Sequence, residues 1–296
     1  QHRAVVHEDV IADGVPHRAS MSGEQVVVGV DGTDGAARAA EWAAGRAVSW
    51  GLPLLLVHGL RWPLYEQVHL HQPVDVAGEE AMRQWARDVL DGVARRCRDR
   101  GAADVRAEVV PGDPADVLLR HAERAAFVVV GHSDGTGVAG VLLGSTAAQV
   151  VEAATRPVVV VREGAEAGAG GPVVVGVDGS PGSGRAVRFA HEFAARTGAE
   201  VVLVHAVPDG GDPYAVGSDP DLAESARRHP GVRSRVEVVP GPAVDVLPRA
   251  AAGAGLLVVG SRATGVVRRA LFGSVAHSVV DRAPCPVAVL PPHAAT

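Results

Sequence analysis

The chain has 296 residues, 34 acidic and 28 basic, and a net charge of −6, which disfavours a nucleic-acid or membrane surface as main partner. All the basic residues are arginine, so a Walker A loop and a Schiff-base lysine are both excluded. Hydrophobic residues make up 47% but aromatics only 3%, a Val/Leu/Ala core that suits a buried parallel sheet.

Residues 1–24 mix His, Arg, Glu and Asp without an apolar run, so they read as a poorly ordered extension rather than a signal peptide, with Met21 as a candidate start. A first unit then spans 25–162. It alternates strands near 26–30, 53–58, 105–110, 127–130 and 158–161 with helices over 34–50, 76–100, 114–124 and 145–154. A Gly/Ala linker follows at 163–171. A second unit spans 172–291, with strands near 173–177, 200–205, 232–239, 256–259 and 287–290 and a short second helix near 219–228; residues 292–296 form a tail. Each unit is expected to be a doubly wound α/β domain, a five-stranded parallel sheet with helices on both faces.

The second unit repeats the first. VVVGVDG stands at 26–32 and again at 173–179. Gly29 to His58 spans 29 positions, as does Gly176 to His205; Gly112 to Gly131 spans 19, as does Gly241 to Gly260; Gly131 to Gly144 spans 13, as does Gly260 to Gly273. The register breaks once: His58 to Gly112 is 54 positions, His205 to Gly241 only 36. A period this long is a duplicated domain, not a solenoid. The missing residues fall between strands two and three, so they shorten a surface helix, and the sheet face near Leu203 is expected to be less covered or covered by the other repeat. Duplicated domains reuse an isologous contact, and the edge of strand five is the natural one. The first strand ends near Asp31 and Asp178 and the fourth near Gly131 and Gly260, where a doubly wound sheet reverses its winding and binds ligands.

These residues resemble the universal stress proteins. The resemblance rests on VGVDG after strand one, LVHG or LVHA closing strand two, a glycine loop after strand four (GHSDGTGVAGVLLGSTA at 131–147, GSRATGVVRRALFGSVA at 260–276) and a final Pro-Val strand. It implies an adenine-nucleotide alpha-hydrolase-like fold and a cytoplasmic stress-response protein that binds ATP weakly or in one domain, with Mg2+ only alongside nucleotide. It acts by binding and signalling, not efficient catalysis. By resemblance, Asp31 and Asp178, following Gly29 and Gly176, contact the nucleoside end, and Gly59 and Ala206 lie beside adenine. Gly131, Gly144, Ser145 and Thr146 cradle phosphate, as do Gly260, Gly273, Ser274 and Val275. Partners are an adenine nucleotide, the other repeat and a second copy of the chain in a homodimer. The other readings are a nucleotide-independent dimerisation scaffold, a weak ATPase and a Ser133 esterase.

ATP-binding members of the family carry G-x2-G-x9-G-(S/T) here. The middle glycine is Asp134 in one repeat and Ala263 in the other. Alanine at a left-handed position costs about 1–2 kcal/mol. A carboxylate about 4 Å from a phosphate charge is repelled by about 4 kcal/mol at an effective dielectric near 20. Arg262, Arg268 and Arg269 flank the second loop, as anion contacts or as a solvated face, and the second domain is favoured as the nucleotide site. Asp31 and Asp178 could instead serve the caps of the helices that follow, competing with Thr33, Asp34 and Ser180.

Other motifs weigh less. Ser133 in GHSDG matches a nucleophile elbow, but Arg262 replaces it in the second repeat. GTGVAG at 135–140, with Glu163 beyond, matches a dinucleotide fingerprint, but the chain then restarts instead of continuing its sheet. His69 and His71 lack a zinc-spaced partner set, so no metal site is assigned. His58 and His205 recur and suit strand-end hydrogen bonds; Cys285 reads as a small residue leading into strand five.

Overall fold

A computed structural model describes residues 24–61, 76–132, 143–164, 170–208, 211, 220–261 and 273–292. The first repeat runs β1 (Gln25–Gly29), α1 (Asp34–Trp50), β2 (Leu54–Leu60), α2 (Val76–Asp99), β3 (Val105–Pro111), α3 (Pro114–Ala122), β4 (Ala125–Gly131), α4 (Ser145–Ala153) and β5 (Val158–Val161). The second runs β6 (Val173–Gly176), α5 (Pro181–Thr197), β7 (Val201–Val207), α6 (Pro220–Arg228), β8 (Ser234–Pro240), α7 (Ala243–Ala250), β9 (Leu256–Gly260), α8 (Ser274–Arg282) and β10 (Val287–Leu290). Most boundaries fall within two residues of the sequence expectation. β2 outruns it because its pairing with β3 continues to Leu60 opposite Pro111.

The strand order is β3-β2-β1-β4-β5-β10-β9-β6-β7-β8. Within each repeat every pairing is parallel. The repeats meet where β5 and β10 run antiparallel, Val159 opposite Ala288, so the two five-stranded sheets form one of ten strands.

Period-two alternation sends Val26 and Val28 to a core layer under α1, and Val27 to the opposite layer under α3 and α4. The α1 face on the sheet is nearly all alanine, with Ala36, Ala39, Ala40, Ala43 and Ala47 buried, which lets its backbone approach the strands closely. α1 and α5 each stop at a glycine in the left-handed region, Gly51 (φ 63°) and Gly198 (φ 74°).

The shortened segment explains the largest difference between repeats. α2 packs on α1, β2 and β3, whereas α6 packs on α5. Leu203 stays buried, at 1% exposure, inside a core layer shared by both repeats. The thinning expected there appears one strand further out, on edge strand β8, where Val236 and Val238 are about half exposed (49% and 48%). Among the described residues no helix is long and apolar enough to cross a membrane.

Candidate functional site

Among the described residues, each repeat carries a cleft beyond the carboxyl ends of its strands, at the point where the winding reverses. In the first repeat that point lies between β1 and β4, in the second between β6 and β9.

The close approach that shapes each cleft depends on a glycine. A Cβ on Gly131 would stand 2.6 Å from the Gly35 carbonyl carbon, and one on Gly260 2.4 Å from the Gly182 oxygen. Without a side chain, the end of the fourth strand reaches the start of α1 or α5. Gly29 and Gly176 are similarly bare because Leu118 and Leu247 pack over them, at 2.8 and 2.9 Å from an added Cβ.

The two aspartates hold a turn and do not cap the helix themselves. Asp31 Oδ1 accepts from the Thr33 backbone N–H at 3.0 Å and from its hydroxyl at 2.6 Å. Thr33 in turn caps α1 by accepting from the Ala36 N–H at 3.2 Å. Asp178 accepts from the Ser180 N–H at 3.0 Å, and Ser180 caps α5 by accepting from Ser183 at 3.3 Å. Both carboxylates remain exposed at the cleft mouths.

The opposite wall is a helix N-terminus. Gly144 and Gly273 occupy the caps of α4 and α8 and supply no side-chain acceptor, so the first-turn N–H groups of Ser145, Thr146, Ser274 and Val275 are available to a ligand oxygen. α1, α3 and α5, by contrast, are capped by Thr33, Asp113 and Ser180.

The clefts differ in size, about 180 Å³ in the first repeat and about 330 Å³ in the second. Pro114 and His58 line the smaller one; the larger has Ala243 where the first repeat has Pro114, and Ala206 where it has Gly59. A Cβ on Gly59 would stand 2.5 Å from Pro114 Cα, so the residue beside the expected adenine position is fixed as glycine in the tighter cleft. The recurring histidines tie strands together. His58 Nδ1 lies 2.8 Å from the Val30 carbonyl and His205 Nδ1 3.0 Å from that of Val177, an arrangement in which the ring N–H donates.

Gly29, Asp31, Gly59, Gly131, Gly144, Ser145 and Thr146 thus share the first cleft, and Gly176, Asp178, Ala206, Gly260, Gly273, Ser274 and Val275 the second. Arg262 lies outside the described residues, as do Ser133, Asp134, Ala263, Arg268, Arg269, His69, His71 and the 135–140 motif. Sequence reasoning missed the side walls, Leu118 and Pro114 in one cleft and Leu247, Ala243 and Ser183 in the other. Extending the Gly112/Gly241 register by six positions would have paired the leucines. Glu163, the acid of the apparent dinucleotide motif, instead pairs with Arg38 at 3.5 Å. Cys97 and Cys285 are buried free thiols, pushed by burial up to about 11 and about 12.

Fold and clefts together define a tandem doubly wound α/β protein with a duplicated switch-point site. The chain belongs to the universal stress protein family, which it matches twice, at residues 24–162 and 171–291. It is 32% identical over 290 residues to a universal stress protein of Mycobacterium tuberculosis, covering 89% of this chain and 96% of that one. A Mycolicibacterium smegmatis universal stress protein is 30% identical over 287 residues, covering 90% and 97%. Among solved structures, a universal stress protein from Archaeoglobus fulgidus superposes with a TM-score of 0.69 at 22% identity, covering 90% of this chain and 98% of that chain.

Proposed function

We propose that this chain is a cytoplasmic stress-response protein that binds an adenine nucleotide, ATP, chiefly in the second-repeat cleft, and acts through the bound state. The observation that carries the reading is the larger cleft itself: an exposed aspartate at one end and an uncapped helix N-terminus at the other, with a glycine cradle between them. Its volume of about 330 Å³ falls within the roughly 300–1,000 Å³ of small-molecule sites, whereas the first cleft's 180 Å³ does not. Asp178 would meet the nucleoside end and the Ala206 backbone the adenine, while Gly260, Gly273, Ser274 and Val275 would receive phosphate, with Mg2+ arriving alongside the nucleotide. Efficient turnover is not expected. The one carboxylate among the described lining residues, Asp178, is held in a backbone turn, and no histidine or cysteine joins it to serve as base.

Isothermal titration with ATP tests the reading. The wild type should bind, and Asp178→Ala should weaken the binding. Asp134→Gly should strengthen binding in the first repeat by about ten- to a hundredfold through relief of charge repulsion, and Ala263→Gly should give a smaller gain. No binding by any variant would favour the scaffold reading, in which the degenerate loops serve dimerisation. Native mass spectrometry of the purified protein would report nucleotide and subunit number together.

A further inference from the structure

A third pocket, of about 250 Å³, lies on the seam between repeats, apart from both clefts. Its floor is apolar, made by Trp50 from the first repeat and Phe189 and Leu290 from the second. Arg185 and Arg188 of α5 line it as well, and Ser225 of α6 is buried in its wall.

The polar groups divide into satisfied and unsatisfied ones. Arg188 pairs with Asp221 at 2.5 Å. The acids at the rim, Glu24 and Glu192, are engaged by Arg156 and Arg196 at 3.5 and 2.8 Å. Arg185 is different. Its Nε donates to the Pro291 carbonyl at 3.1 Å, and its guanidinium has no carboxylate within 4 Å among the described residues. The Ser225 hydroxyl is 1% exposed and has no hydrogen-bond partner, a condition that costs stability unless something fills it.

Among the described residues, the lack of a carboxylate partner for this arginine is particular to the second repeat. Arg38 occupies the position of Arg185 and is neutralised by Glu163; the residue corresponding to Glu163 is Pro292. Glu41 occupies the position of Arg188 and is covered by Arg96 of the long α2 and Arg100 just beyond its end, at 2.6 and 2.7 Å. In the second repeat Ser225 of the shortened α6 lines the pocket together with Arg188.

We infer that the seam pocket binds a small aromatic monocarboxylate, its flat body on Trp50, Phe189 and Leu290 and its carboxylate on the Arg185 guanidinium, with the Ser225 hydroxyl turning out of the wall to meet it. A fork of guanidinium N–H groups matches a carboxylate in two parallel hydrogen bonds, and one unpaired cation calls for one negative charge. A phosphate dianion would leave its second charge without a partner, since Arg188 is already engaged. Such a ligand would bridge both repeats across the β5–β10 seam and leave the nucleotide clefts open.

Calorimetric titration of the full chain with 2-naphthoate, in the presence and absence of saturating ATP, tests the inference. One saturable site is expected, insensitive to ATP, with the uncharged 2-naphthamide weaker by about tenfold or more, as for the loss of a charged hydrogen bond. Arg185→Gln should abolish the preference for the acid. Ser225→Ala, a smaller change that leaves the α5 contacts in place, should weaken naphthoate by several-fold and carries the test if Arg185→Gln does not fold. No saturation by millimolar naphthoate, equal binding of acid and amide, displacement by ATP, or unchanged affinity in Ser225→Ala would each overturn the inference. Because the nucleotide reading is scored by ATP binding alone, either result can fail without the other.

Discussion

His191 is fully buried on α5, with Nδ1 2.9 Å from the Val187 carbonyl and Nε2 without a partner. Burial lowers its proton affinity, and nearby His229 pushes the same way against the Val187 hydrogen bond. The folded state therefore binds fewer protons than the unfolded chain once pH falls below about 6.5, the ordinary histidine value. Stability is complete above that pH and declines as pH falls through the window beneath it. His121, also lowered by burial, adds to the decline, with Glu108 opposing. His191→Leu should thus flatten the fall in urea midpoint between pH 7 and pH 5, and an unchanged slope would show that His191 does not carry it. The same scale shows why some site residues could be read from sequence. Asp178 and Gly260 sit at fixed distances in both repeats and line the cleft. The aspartate's dual service could not be read: Asp178 and Ser180 are two positions apart, and only the backbone turn shows that one holds the other as cap.

Among elements, the 18-residue deficit was plain in the spacing, but its consequence depended on where the shortened helix comes to rest. Nine residues of α6 reach α5 and stop there, so the loss falls on β8 instead of β7. Val238 is half exposed, whereas Val109, its counterpart on β3, packs against the core layer under α1 and α2. The repeats therefore supply their own control. Val109→Thr should destabilise by about 1 kcal/mol, because a hydroxyl replaces a packed methyl in a half-dry place. Val238→Thr should stay within about 0.5 kcal/mol, as surface changes do. Equal losses in urea titrations would mean that something covers β8 in solution. Alternating Arg235 and Glu237, paired at 3.0 Å, charge the other face of this edge strand and discourage edge-to-edge association.

For the whole molecule, the duplication yields a single sheet instead of two beads, and its scarce aromatics mark the join. The chain has four Trp, two Tyr and four Phe. Trp42, Trp50, Phe127, Phe189 and Phe193 gather at the seam, where Trp42 stacks on Phe193 at 6.2 Å and Trp50 meets Phe127 edge-on at 5.1 Å. Arg196 lies 4.2 Å from the Trp50 ring centre and closes the cluster across the repeats. The Val/Leu/Ala strands identified a buried parallel sheet from sequence; the aromatic join could not be read, because each ring looks like ordinary helix-face packing within its own repeat. A core shared in this way should unfold as one unit. Calorimetry should show a single transition whose calorimetric and van't Hoff enthalpies agree, and two resolved transitions would sink the claim. Phe193→Ala empties the centre of the cluster and should cost about 3–5 kcal/mol, lowering the midpoint by roughly 5–10 °C. If the seam couples the repeats, that variant should still melt as one unit at lower temperature or separate into two transitions. A midpoint unchanged from wild type would mean that β5 and β10 alone hold the halves together.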